Sequence, residues 1–146
     1  MSIVTKTGDK GTTMYFGKTI KKTDPILEVV GSLDELQAVI ELTNYELKIK
    51  YLEKVIEDLY LIMGKKPIAE KIERLEAEIK KLEKELKIGN KFLIFKKKKS
   101  LNLNWVRTVV RRTERRCWIL EDEGIGVYLN RLSDYIYLLA VKEERE

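Results

Sequence analysis

Residues 68–86 read IAEKIERLEAEIKKLEKEL, and this stretch decides the fold class. Ile68, Ile72, Leu75, Ile79, Leu82 and Leu86 step by four and three in alternation. That spacing lines apolar side chains along one seam of a helix. The seam spans under three heptads, which is short for a free coiled coil and suits a helix packed inside a bundle. Gly89-Asn90 ends it. On its N-terminal side, Leu52, Ile56, Leu59 and Met63 mark a helix over about 50–63, closed by Gly64 and Pro67. Before that, Asp24-Pro25 offers an N-cap and a helix start, followed by the stripe Leu33, Leu36, Ile40 and Leu47. On the C-terminal side, a short apolar run from Phe92 to Phe95 precedes four lysines. A fourth helix is predicted over about 101–123, broken by Gly124 and Gly126, and a fifth over about 127–142. Residues 1–24 carry no helical stripe and read as a loop, and no alternating run is long enough for a useful strand. The expectation is an all-α five-helix bundle, with residues 1–146 forming a single domain.

The inventory excludes much chemistry. There is no histidine, hence no His general base, no Ser-His or Cys-His nucleophile and no His metal ligand. The single cysteine, Cys117, permits neither an internal disulfide nor a Cys-rich zinc site, and no resident metal centre is expected. No early apolar run resembles a signal peptide and none approaches a membrane span, so a soluble cytoplasmic protein with no membrane partner is expected.

The net charge of +5 is unevenly placed. Residues 90–116 hold ten basic residues against one acid, Glu114, giving +9 there and −4 elsewhere. Such a segment suits phosphates, on a nucleotide, a nucleic acid or a lipid.

Four segments could carry chemistry. Residues 5–13 read TKTGDKGTT, where Gly8 and Gly11 let backbone N–H groups converge on an anion; Lys10 and Lys18 add charge, and Asp9 could hold a magnesium shell or tie down the loop. It is not a Walker loop, since the glycine expected five positions before Gly17-Lys18-Thr19 is Thr12. An ordinary N-terminal turn is the alternative. In the fourth helix Arg107, Arg111 and Glu114 share a face, while Leu103, Val106, Val110, Cys117 and Leu120 face the core. An arginine pair with a carboxylate suits a polyphosphate, and a solvated basic face is the alternative. Asn130, Arg131 and Asp134 open an otherwise apolar helix, with Asn130 placed as a cap where anions are also favoured. Asp34 and Glu35 stand near a helix start, where acids favour the dipole.

Together these segments resemble the ATP:cob(I)alamin adenosyltransferases of the propanediol-utilisation (PduO) type. Residues 5–13 look like the nucleotide loop of that family, with 1–24 as a nucleotide-binding N-terminal loop. GSLDEL at 31–36 matches its first-helix motif, VRTVVRRTER at 106–115 its arginine helix, and YLNRLSDY at 128–135 its last helix. The resemblance implies a homotrimer with active sites between subunits, and transfer of the 5′-deoxyadenosyl group of ATP to the cobalt of reduced cobalamin with release of triphosphate. ATP, Mg²⁺ and cobalamin (as substrate) are the implied ligands. It implies that Thr5, Thr7, Gly8, Asp9, Gly11, Thr13 and Lys18 surround the phosphates, completed by Arg111, Glu114 and Asn130. Asp34 and Arg107 would pair across the interface beside the corrinoid, and Phe92 matches the aromatic placed below it. The missing histidine fits, because cobalt(I) is the nucleophile and the protein need only align and stabilise charge.

The sequence departs from the family on the corrinoid side. Phe95 and four lysines stand where a Pro-Gly-Gly turn is usual, and Asn104 stands where a histidine is usual. Three rival readings follow: a catalytically altered relative that binds ATP or corrinoid, a small basic nucleic-acid-binding bundle, and a structural helical assembly. The second is opposed by the lack of aromatic residues interleaved with the basic ones, and no nucleic-acid partner is expected.

Overall fold

The computed structural model describes residues 2–89 and 93–146. Among them are five α-helices: α1 (Pro25–Leu47), α2 (Lys50–Met63), α3 (Ala69–Leu86), α4 (Lys98–Cys117) and α5 (Glu123–Arg145). The expected bundle is present and its first three helices sit where the sequence places them. Asp24 caps α1 by accepting from the Ile26 N–H at 2.9 Å, with Pro25 at the first position. Asn44 turns the chain from α1 into α2: its Oδ1 accepts from the Ile49 N–H (2.8 Å) and its Nδ2 donates to the Ile49 carbonyl (3.2 Å).

Three boundaries differ from expectation. Residues 12–21 form an antiparallel hairpin, β1 (Thr12–Tyr15) and β2 (Lys18–Lys21), paired from Thr12↔Lys21 to Tyr15↔Lys18. Phe16 and Gly17 both have positive φ, 43° and 76°, which matches the right-handed twist of a two-residue hairpin turn. The fourth helix starts earlier and ends earlier than predicted. It gives way to a 3₁₀ turn over Trp118–Leu120, and Glu121 turns left-handed at φ 55°. Finally, Gly124 and Gly126 lie inside α5 rather than breaking a helix, because Asp122 caps it by accepting from the Gly124 N–H at 3.0 Å.

α5 is central: it packs against both α3 and α4, and α1 packs against α4 and α2. The seam of α3 is consumed here, with Leu75, Ile79, Leu82 and Leu86 buried in the common core beside Leu129, Leu132 and Ile136. That internal use disfavours an independent coiled-coil assembly through this seam.

One polar cluster crosses the core. Asp58 of α2 is buried, and both its carboxylate oxygens accept from Arg74 Nη2 of α3, at 2.7 and 2.8 Å. The hydroxyl of the fully buried Tyr128 of α5 donates to Asp58 Oδ2 at 2.9 Å. Burial and the adjacent carboxylate push the Tyr128 phenol well above its ordinary pKa. Each lone pair used here answers the desolvation of a buried charge, and the cluster joins three helices. None of the described helices is long and apolar enough to cross a membrane.

Candidate functional site

The N-terminal segment is a compact turn followed by the hairpin. Gly11 N–H donates to the Gly8 carbonyl (3.2 Å), and Lys22 N–H donates to the Gly11 carbonyl (2.8 Å). Lys6 and Gly11 take left-handed φ of 60° and 76°. Thr5 and Thr7 join their hydroxyls at 2.9 Å, and a Cβ at Gly8 would lie 2.7 Å from Lys22 Nζ. Thr5, Thr7, Asp9, Gly11 and Lys18 are exposed, while Gly8 and Thr13 are half-buried. The segment is anchored by Lys65, whose ammonium lies 4.9 Å from the Tyr15 ring and 4.2 Å from the Phe16 ring.

The α4–α5 face holds the second group. Arg107 Nε donates to Asn104 Oδ1 at 2.9 Å. Among the described residues neither Arg107 nor Arg111 makes an ion pair, and Arg111 is exposed. Burial raises the Asp134 carboxyl pKa, opposed by the positive charges of Arg131 and Arg111. Glu114 Oε1 accepts from Trp118 Nε1 at 3.0 Å. The indole of Trp118 lies where a side chain at Gly126 would be, with ring atoms 2.6 to 2.9 Å from such a Cβ. Asn130 is no N-cap: it lies well inside α5, half-buried, and its Oδ1 accepts from Arg131 Nη1 at 2.8 Å. Arg131 in turn donates to Glu76 of α3 at 3.0 Å.

The remaining arginines of the run behave differently. Arg112 pairs with Glu35 at 2.7 Å; Arg116 donates to Ser32 Oγ at 2.6 Å and lies 3.8 Å from Glu28. They bind α4 to α1, a role the sequence analysis does not identify. The signal was available, since Glu28, Ser32 and Glu35 share one face of α1 at helical spacing. Of the lysines, Lys98 pairs with Glu46 at 2.7 Å and Lys99 with Glu143 at 3.8 Å. Four of the ten basic residues of the segment thereby have an acidic partner within the chain, which weakens the nucleic-acid reading.

Two cavities flank the unpaired arginine face. One, of about 440 Å³, is lined by Leu93, Ile94, Phe95, Leu101, Asn104, Arg107 and Tyr137. The other, of about 820 Å³, runs between α3 and α5 past Arg131, Asp134 and Tyr137. Tyr137 borders both. Asp34 is exposed on α1 and makes no ion pair with Arg107 of the same chain. The expectation for Phe92 falls outside the described residues. Cys117 supplies no nucleophile: it is buried, and burial first and Glu114 second push its thiol up to about 12. Among the described residues no three His, Cys, Asp or Glu side chains gather to hold a metal ion.

Among the described residues, a helical bundle that leaves arginines without ion pairs beside a half-apolar cavity defines a class of protein suited to binding an anionic ligand. The chain belongs to the cobalamin adenosyltransferase family, whose profile matches residues 3–143. It is 32% identical to the corrinoid adenosyltransferase PduO of Citrobacter freundii over all of this chain and 51% of that protein, so it spans about half the length of that relative. It is 30% identical to a corrinoid adenosyltransferase of Bacillus subtilis, over 96% of this chain and 85% of that one. The fold matches a variant PduO-type ATP:corrinoid adenosyltransferase of Lactobacillus reuteri complexed with cobalamin and ATP, with a TM-score of 0.86, 24% identity, and 99% and 94% of the two chains covered.

Proposed function

We propose that this chain transfers the 5′-deoxyadenosyl group of ATP to the cobalt of reduced cobalamin, as a single-domain cytoplasmic homotrimer. The observation that carries the reading is the Arg107-edged cavity beside the unpaired Arg111, within a chain of this family. The relatives are named for this activity, and the Lactobacillus reuteri protein is complexed with both substrates.

In the reaction the electron pair of cobalt(I) forms a bond to C5′, the C5′–O bond breaks, and that bonding pair leaves with triphosphate. The chain's task is to hold C5′ in line with cobalt and to neutralise the departing charge. Gly8 and Gly11 shape the turn, and the Gly8 N–H, the Thr5, Thr7 and Thr13 hydroxyls and Lys18 surround the phosphates, the Gly11 N–H being used within the turn itself. Arg111 grips an oxygen pair in bidentate fashion, and Glu114 and Asn130 orient the nucleoside end. Mg²⁺ fits this donor set modestly: Asp9 offers one exposed carboxylate, so the ion would take its other ligands from phosphate and water and would offset triphosphate charge.

A shared site is supported by the monomer itself. The phosphate-loop groups face solvent, and Leu42, Tyr45 and Trp105 leave an exposed apolar patch on α1 and α4. In the trimer the loop of one subunit meets Arg111 of the next, and Asp34 pairs with Arg107 across the interface.

The test is an anaerobic assay of ATP with reduced cobalamin, read as the change in corrinoid spectrum. Arg111→Ala should lose most of the turnover while keeping its helical signal. An inactive wild type beside an active family member refutes the transfer reading, and a fully active Arg111→Ala refutes the site. ATP binding by calorimetry without turnover would identify the catalytically altered relative suggested by the altered 92–104 segment.

A further inference from the structure

The Leu93–Phe95 wall of the smaller cavity has no regular secondary structure, and it runs directly into α4. That junction is poorly suited to hold itself. Lys97 at the N-cap makes no side-chain capping bond, the first turn contains no acid, and Lys98 and Lys99 oppose the helix dipole. What holds it comes from the other end of the chain. Glu144, in the last turns of α5, accepts from the backbone N–H groups of Lys96 (2.9 Å) and Lys97 (3.1 Å) and from the hydroxyl of buried Ser100. The Lys97 carbonyl, 2.8 Å from Ser100 Oγ, is the alternative acceptor for the one hydroxyl proton, and neighbouring Glu143 lies 3.8 Å from Lys99. These donors hold the Glu144 carboxyl down at about 2, so it is ionised throughout the working range. On the opposite side the wall rests on apolar contact, with the Phe95 ring edge-on to Tyr137 at 6.1 Å.

We infer that Glu144 is a positioning residue for the corrinoid side of the site, fixing the Leu93–Phe95 wall against Arg107 through the N–H groups of Lys96 and Lys97. It rests on the reading that this cavity receives the corrinoid. A carboxylate here replaces a self-bracing turn: it satisfies the N–H groups of the N-cap residue and of the residue before it, and supplies the negative charge that the lysine-rich first turn lacks. Its effect is selective, because the proposed nucleotide contacts lie on the N-terminal loop, further along α4 and, at Asn130, fourteen residues before Glu144 in α5.

The experiment compares wild type, Glu144→Ala and Glu144→Gln, each first shown to be folded by circular dichroism. Limited trypsin digestion reads the anchor without any substrate. Cleavage within Lys96–Lys99 should accelerate about tenfold in Glu144→Ala, with cleavage at Lys80 and Lys81 of α3 unchanged. Steady-state kinetics read the consequence: KM for reduced cobalamin should rise about tenfold while KM for ATP stays within twofold, with Glu144→Gln intermediate. An unaltered digestion pattern overturns the anchor. Equal increases in both KM values, or in neither, overturn the positioning role. If Glu144→Ala does not fold, Glu144→Gln alone decides by the same criteria. If wild type has no turnover, the transfer reading fails separately; the positioning role then stands only if corrinoid binding to wild type is weakened in Glu144→Gln while ATP binding is not.

Discussion

Replacing Gly126 by alanine sets two known effects against each other. Glycine in a helix interior is about 1 kcal/mol less favourable than alanine, so propensity alone predicts stabilisation. The structure predicts the reverse. The new Cβ would lie 2.6 to 2.9 Å from three ring atoms of Trp118, well inside contact distance. Trp118 is 47% exposed, so the indole can swing out instead of forcing the helices apart. The penalty is then what the indole loses. Half of a tryptophan's buried area is roughly 100 Å², worth about 2.5 kcal/mol at ~25 cal/mol per Å². The Trp118–Glu114 hydrogen bond adds about 1 kcal/mol. Set against the propensity gain of about 1 kcal/mol, the net is a destabilisation of about 2.5 kcal/mol, an upper estimate because the denatured chain already shields some of that area. In a Trp118→Ala background the obstruction is gone, and the same Gly126→Ala change should stabilise by roughly 1 kcal/mol. Urea unfolding of the four proteins of this cycle measures both numbers. A stabilised Gly126→Ala single variant, or the same effect in both backgrounds, would refute the packing argument.

Two further outcomes follow from the buried groups. Tyr128→Phe deletes one hydrogen bond to the Asp58 carboxylate and should cost about 1.5 kcal/mol in urea unfolding, the low end for a charged acceptor because Arg74 remains bonded to it. An Asp58→Asn background should shrink that cost. Cys117, with its thiol pushed up to about 12, should resist a disulfide reagent at pH 8 until the chain unfolds, so the labelling rate should track urea concentration. Because the folded state keeps that proton while the unfolded thiol releases it near 9, the unfolded state binds fewer protons above that pH. Stability therefore declines as pH rises from about 9 towards 12. Rapid labelling of native protein at pH 8 would contradict the burial.

The parts of the fold that were legible are those decided locally. Asp24-Pro25 starts α1, and Gly64 with Pro67 ends α2. The hairpin was hidden because its strands are four residues each and its turn is Phe16-Gly17 rather than the Asn-Gly pair that usually marks such a turn. The start of α5 was misread for an opposite reason. Two glycines so close together read locally as a helix break, whereas Asp122 supplies the cap and Gly126 is small to admit Trp118. That requirement is tertiary and leaves no local trace. Asp58 likewise reads as a solvent-facing acid until its partners, 16 and 70 residues away, are placed beside it.

The arginine helix shows how far a face argument reaches. Helical spacing alone separates Arg107 and Arg111 from Arg112 and Arg116, since adjacent residues turn by about 100°. What spacing could not supply is the partner of each face. Arg112 and Arg116 meet the Glu28, Ser32 and Glu35 side of α1 and are occupied as struts. Arg107 and Arg111 meet no carboxylate of their own chain among the described residues. A surface guanidinium loses little by staying unpaired in water, so fold stability does not require a partner for it. The same exposure leaves it available to a polyanion or to a second subunit. Asp34, equally exposed on α1, is the matching free acid. The pairing of Asp34 with Arg107 between subunits is what the resemblance to the family implies; the exposure of Asp34 and the absence of an ion pair at Arg107 among the described residues leave both groups available for it.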